Sequence, residues 1–147
     1  MESLHLQQLS KAAEKAWIAL LRTAPPLFDR VEAALKAKGH PPLAWYDVLW
    51  ELERAGEPLR QRDLGERLLV ARYNLSRLID RLETDGLIER EDCADDARGQ
   101  MLKLTRAGRT LRTKMWPDYA AAISSAVEDR LSASEAETLA KLLDKLR

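Results

Sequence analysis

Six arginines fall between positions 60 and 81 (Arg60, Arg62, Arg67, Arg72, Arg77 and Arg81), against three acids, Asp63, Glu66 and Asp80. From Lys38 to Lys103 every intervening Lys/Arg position is arginine. A guanidinium can fork onto two phosphate oxygens or onto the O6/N7 edge of guanine, which an ammonium does not do bidentately. The chemistry on offer is recognition of an anionic polymer; the alternative use of the same charges is self-solvation through Arg/Glu ion pairs. Catalytic chemistry is thinly supplied. Two histidines, His5 and His40, and one cysteine, Cys93, stand apart in the chain, whereas a transition-metal site takes three or four such ligands. There is no Gly-rich phosphate loop and no Gly-x-Ser-x-Gly turn, so neither an enzyme nor a cofactor or metal is expected. A single cysteine leaves no internal disulfide.

The chain of 147 residues balances 24 Lys+Arg against 24 Asp+Glu, and a net charge of zero argues at first against a nucleic-acid partner. The charges are not evenly spread. Residues 82–97 hold seven acids against Arg90 alone, and residues 98–115 hold Arg98, Lys103, Arg106, Arg109, Arg112 and Lys114 with no acid. Two positive blocks therefore flank a negative one, and the overall balance does not exclude DNA.

These side chains need elements to position them. Leucine (26) and alanine (21) far outnumber valine (4) and isoleucine (4), which favours helices over sheets. With 46% hydrophobic and 33% charged residues, the chain fits one globular domain with its own core. Ala13, Ala16, Trp17, Leu20 and Leu21 form a helical stripe over 10–22 that Pro25-Pro26 is expected to break or sharply kink. A second helical stretch, Leu27 to Ala37, carries Phe28, Val31 and Leu35 and ends at Gly39 and Pro41-Pro42. Trp45, Val48, Leu49 and Leu52 mark a short helix closed by Gly56; Leu59-Arg60 is a connector or a single strand pair. Arg62 to Leu68 is another short helix, with Leu64 and Leu68 inward.

After a tight Leu69-Val70 link, Ala71 to Thr84 turns Leu75, Leu78, Ile79 and Leu82 inward. Tyr73, Ser76, Arg77 and Asp80 occupy its opposite face, with Asn74 and Arg81 at the margin, and Asp85-Gly86 stops it. Leu87–Asp92 and Gln100–Thr105 bracket a charged tip and predict a β-hairpin. Thr105 caps a helix from Arg106 toward Asp129, expected to be interrupted or bent near Pro117. Ser132 and Glu135 form a capping box that opens a last helix, expected to bury Leu139, Leu142, Leu143 and Leu146. The start lacks a basic region followed by an apolar run, and no apolar stretch reaches roughly 18 residues, so a cytoplasmic protein with no membrane partner is expected.

The wording of the central segment is more specific than its pattern. Asp63-Leu64-Gly65-Glu66-Arg67-Leu68 is similar to a supporting helix written eLA..L. The run from Leu75-Ser76-Arg77 through Gly86-Leu87-Ile88-Glu89-Arg90 resembles vsRlvdrLe..GLieR. Asp96-Ala97-Arg98 and Leu102-Lys103-Leu104-Thr105-Arg106-Ala107-Gly108 match D.R…l.LT..G. In this order and spacing they resemble the MarR family of bacterial transcriptional regulators, at motif level from about Val48 to Gly108 and as architecture to both ends.

The resemblance implies a mainly α fold: a winged helix-turn-helix with a small β-hairpin wing, flanked by N- and C-terminal dimerisation helices. It implies one domain over 1–147, with about 43–106 as the winged helix-turn-helix and about 1–38 and 107–147 as dimerisation helices. Such proteins are homodimers on a pseudo-palindromic double-stranded operator, usually repress, and often answer to small aromatic or phenolic effectors. The start of the recognition helix, with Arg72, Tyr73, Asn74, Ser76, Arg77 and Arg81, then enters the major groove. Arg98 at the wing tip lies in or beside the minor groove, oriented by Asp96. Gln61 and Arg62 hold a phosphate at the supporting helix, a role open also to Arg106 and Arg109. Trp17, Trp45, Tyr46, Trp50, Trp116 and Tyr119 border the effector cleft, or simply fill the core. The oxidation-sensing branch keeps its cysteine near the N-terminus, so Cys93 does not match it, and the acids Glu91, Asp92 and Asp95 around it would raise a thiol pKa. The alternatives are a winged-helix adaptor that has lost DNA binding, supported by the acidic run Glu83–Asp96, and a small-molecule sensor or enzyme built on the tryptophans.

Overall fold

The computed structural model describes residues 8–69, 74–92 and 99–147. Its first helix, α1, is capped by Ser10, whose Oγ accepts the Ala13 N–H at 3.0 Å, and runs unbroken over Lys11–Ala37. The expected break at Pro25-Pro26 does not occur. The two rings remove the donors that would meet the carbonyls of Leu21 and Arg22, but both residues are exposed, so water can take up those carbonyls. Helix α2, Leu43–Ala55, starts after Pro42, which has no side-chain acceptor to offer. The missing cap comes from α1: Glu32 Oε1 accepts the Leu43 N–H at 2.7 Å. Gly56, at φ 68°, ends α2 in the left-handed conformation.

Strand β1 (Leu59–Arg60) leads into α3 (Gln61–Arg67), and α4 spans Leu75–Thr84. The helix expected from Ala71 starts later. Asn74 sits at φ 55°, ψ 36°, a left-handed conformation that cannot lie inside a right-handed helix. Strands β2 (Ile88–Asp92) and β3 (Gln100–Leu104) form the hairpin, and β1 adds to its other side, giving the antiparallel order β1-β3-β2. Leu59 pairs with Leu102, and Ile88 with Leu104.

One core holds Val48, Leu49, Leu52, Leu59, Leu64, Leu68, Ile79, Leu82, Leu87, Ile88 and Leu102; a smaller one joins α1, α2 and the next helix through Leu35, Leu43, Tyr46 and Met115. That next helix, α5 (Arg106–Ile123), is capped by Thr105, whose Oγ1 accepts the Gly108 N–H at 3.0 Å and donates to the Gly86 carbonyl at 2.7 Å. Pro117 does not interrupt α5; the departure from α geometry comes later, as a π-helical turn over Ser124–Glu128. The carbonyl that Pro117 frees belongs to Thr113, which is exposed to water.

Helix α6, Ala133–Asp144, begins at the expected Ser132/Glu135 capping box. Its leucines are not buried: Leu139, Leu142, Leu143 and the following Leu146 are 38% to 69% exposed. Within one chain this helix has no second layer to pack against, and Trp17, Ile18, Leu21 and Phe28 of α1 are likewise exposed. No helix among the described residues is long and apolar enough to cross a membrane.

Gly108 explains a glycine that a helix would otherwise avoid. A Cβ built there would press into the Leu87 carbonyl oxygen and lie 2.7 Å from Leu104 Cδ1. Backbone and core leave no room for either to retreat, so Gly108→Ala is expected to lower unfolding stability by about 1–3 kcal/mol, despite alanine's better helix propensity. Urea denaturation of the two proteins checks this; equal midpoints would remove the steric account.

Candidate nucleic-acid interface and aromatic cleft

Helix α4 is sharply two-faced. Ile79 and Leu82 are buried and Leu75 and Leu78 half-buried, whereas Ser76, Arg77, Asp80 and Arg81 are exposed. Asn74, just before it, is also exposed. Gln61 Nε2 donates to Ser76 Oγ at 2.9 Å, so the start of α3 is tied to the start of α4. Arg62 is exposed and reaches Glu66 only loosely, at 3.8 Å; Arg81 and Asp85 are 4.0 Å apart. Arg77 forms no ion pair among the described residues. The structure therefore gathers Gln61, Arg62, Asn74, Ser76, Arg77 and Arg81 around the outer end and face of one helix pair. Arg72, Tyr73, Asp96, Arg98 and Cys93 lie outside the described residues.

Arg90 is a functional residue that the motif contained but charge counting left without a role. From β2 it spans two acids of α4, with Nη2 2.6 Å from Asp80 Oδ1 and Nη1 2.8 Å from Glu83 Oε1. The hydrogen bond to Asp80, helped by the charge of Glu83 and opposed by burial, raises its pKa above the usual guanidinium value. The clamp fixes α4 against the wing. It also uses part of the acidic run internally, as does the 3.4 Å pair of Lys103 with Glu91. Beside it, Arg60, Gln61, Arg62, Asp92 and Gln100 line a polar cleft of about 510 Å³ between α3 and the wing.

On the far side of α2 a second cleft, of about 410 Å³, is walled by Tyr46, Trp50, Trp116 and Tyr119. Tyr46 stacks on Trp116 with centroids 6.1 Å apart and meets Tyr119 edge-on at 5.0 Å. Two of the expected lining residues are elsewhere. Trp45 packs against the main core, and Trp17 is 61% exposed on α1. Helical spacing identified both as apolar positions but could not say which side of α1 or α2 meets the cleft. Asp47, Leu69 and Arg112 line it unexpectedly. Arg112 is paired with Glu53 and lies 5.2 Å from the Trp50 ring centre. Asp47 is buried and its Oδ2 accepts the Leu69 N–H at 2.7 Å.

Residues 41–99 match the family model described as MarR family. Over 103 residues the chain is 32% identical to an HTH-type transcriptional regulator of Bacillus cereus, covering 70% of this chain and 67% of the relative. A MarR family transcriptional regulator from Streptomyces coelicolor, solved in complex with DNA, superposes with a TM-score of 0.83 at 28% identity, over 95% of this chain and 88% of that one. An organohalide-sensing transcriptional regulator in its 2,4-dichlorophenol-bound form shares the fold, with a TM-score of 0.79 at 19% identity, over 100% of this chain and 88% of its own.

Burial, then the charges of Asp47, Tyr46 and Glu32, push the Tyr119 phenol above its ordinary pKa. A raised native value means the neutral phenol's contribution to stability is fully present below about pH 10 and is lost as pH rises through the native value. In a spectrophotometric titration of the three tyrosines, one is expected to ionise later than the others. Tyr119→Phe should remove that late phase; a late phase that survives would place the shift elsewhere.

Proposed function

The chain belongs to the MarR family of DNA-binding winged helix-turn-helix transcriptional regulators, a non-enzymatic family, and on that premise we propose that it is a cytoplasmic homodimer that represses from a pseudo-palindromic operator until a small aromatic effector releases it. The two-faced α4 carries this reading. Its aliphatic side is occupied by the core, and its polar side, with the unpaired Arg77, is free to enter a major groove. In this reading Gln61, Arg62, Asn74, Ser76, Arg77 and Arg81 contact DNA, together with Arg72 and Tyr73 before α4 and Asp96 and Arg98 at the wing tip. Residues of about 43–106 form the DNA-binding part of a single domain over 1–147. Residues of about 1–38 and 107–147 form the dimer, which the exposed leucines of α6 and the apolar positions of α1 support. The aromatic cleft supports an effector response, as does the phenol bound by the organohalide-sensing relative. The adaptor reading loses its main support, because Asp80, Glu83 and Glu91 are engaged by Arg90 and Lys103 rather than offered to a basic partner.

Binding to the DNA upstream of its own gene, followed by gel shift, tests the regulator. Affinity is expected to fall steeply with salt, because phosphate contacts release counterions; salt-insensitive binding would contradict the mechanism. Arg77→Ala is expected to cost about 1–3 kcal/mol on the operator and much less on random DNA if Arg77 pairs with a base edge. Equal losses on both would make it a phosphate contact. Leu142→Glu places a charge on the exposed apolar face of α6 and is expected to shift the protein from dimer to monomer in sedimentation; an unchanged dimer would place the interface elsewhere.

A further inference from the structure

The aromatic cleft contains a buried carboxylate that DNA recognition does not use. Asp47 is 5% exposed and lies among Tyr46, Trp50, Trp116 and Tyr119. The other charged group of the lining, Arg112, is paired with Glu53 and spread over Trp50. A ligand carboxylate would have to displace Glu53 to reach it, and would lose water beside Asp47. Glu32, whose carboxylate holds the Leu43 N–H, adds negative charge at the Tyr119 side. Tyr119 itself stays a neutral phenol, so it adds an O–H and a ring face but no counter-charge. Ring faces with a net negative field suit a cation, which gains from the aromatic quadrupoles and from the carboxylate together. A cleft of about 410 Å³ is of the size that small ligands fill.

We propose that this cleft takes a cationic aromatic ligand, a protonated arylalkyl amine, with Asp47 as its counter-ion, and that seating it loosens the connection into α4. The coupling runs through one oxygen. Asp47 Oδ2 accepts the backbone N–H of Leu69, which lies on the cleft wall between α3 and α4 and is 74% exposed. A ligand ammonium that takes Oδ2 competes with that N–H, and a ligand bound better to the loosened form shifts the population toward it. This deepens, and rests on, the effector response proposed above.

Calorimetry of the full chain at about pH 7 with three ring-matched probes tests it: 1-naphthylmethylammonium, 1-naphthylmethanol and 1-naphthoate. The ammonium is expected to bind at least about tenfold more tightly than the naphthoate, with the alcohol between them. Asp47→Asn should abolish the cation's advantage. Equal or tighter binding of naphthoate, or no binding of the ammonium, overturns the proposal on the wild-type protein alone, whether or not the variant folds. In a parallel anisotropy titration on the DNA upstream of its own gene, saturating ammonium is expected to weaken binding at least about tenfold; unchanged affinity overturns the coupling through Leu69. If naphthoate alone binds and releases DNA, the effector response stands and the ligand class falls. If the protein binds no DNA even without a probe, the regulator reading and the coupling fall together, while calorimetry still decides the ligand class.

Discussion

Helix α4 has ten residues, too few to hold a helix in water without support from the rest of the fold. Everything the protein presents to a DNA groove depends on where those residues sit. Three contacts fix them. Ile79 and Leu82 anchor one side in the core, Gln61 holds Ser76 near the start, and Arg90 grips Asp80 and Glu83 toward the end. The aliphatic anchors set the depth of the helix, and the guanidinium fork sets its angle to the wing. An arginine suits this task because its planar fork engages two carboxylates at once without leaving a buried charge unpaired.

Much of this was legible in the chain. Leu75, Leu78, Ile79 and Leu82 specified the inner face of α4 by spacing alone, and the hairpin and its Thr105 cap followed from alternation and turn chemistry. The failures have physical reasons. Pro25 and Pro26 looked like a stop because propensity counts the lost donors; it does not count water, which can reach the exposed carbonyls of Leu21 and Arg22. The α6 leucines looked like core because periodicity finds an apolar face without saying which molecule covers it. Asn74 looked helical because nothing in its neighbours marks a left-handed residue. Asp47 was missed because a single acid amid Trp45, Tyr46 and Trp50 has no periodicity, and its partner, the amide of Leu69, lies 22 residues away.

Net charge was the least informative number. A neutral sum conceals an exposed arginine-bearing helix face, an acidic strand whose charges are partly matched by Arg90 and Lys103, and a basic stretch that begins the long helix α5. What a partner meets is set by which charges remain after these internal pairings. Arg77 remains available in that sense; Arg90 and Arg112 do not.

The π-helical turn over Ser124–Glu128 has a consequence for subunit choice. An i→i+5 turn accommodates one residue more than an α-turn, and each residue of an α-helix rotates the chain by about 100°. Shortening this turn by one residue would therefore swing the apolar stripe of α6 about a quarter-turn around its axis without altering a single side chain on it. A sister regulator with the same α6 sequence but no such turn would present that stripe in the wrong direction to pair with this one. Insulation between closely related regulators in one cell can thus reside in backbone phase rather than in contact residues.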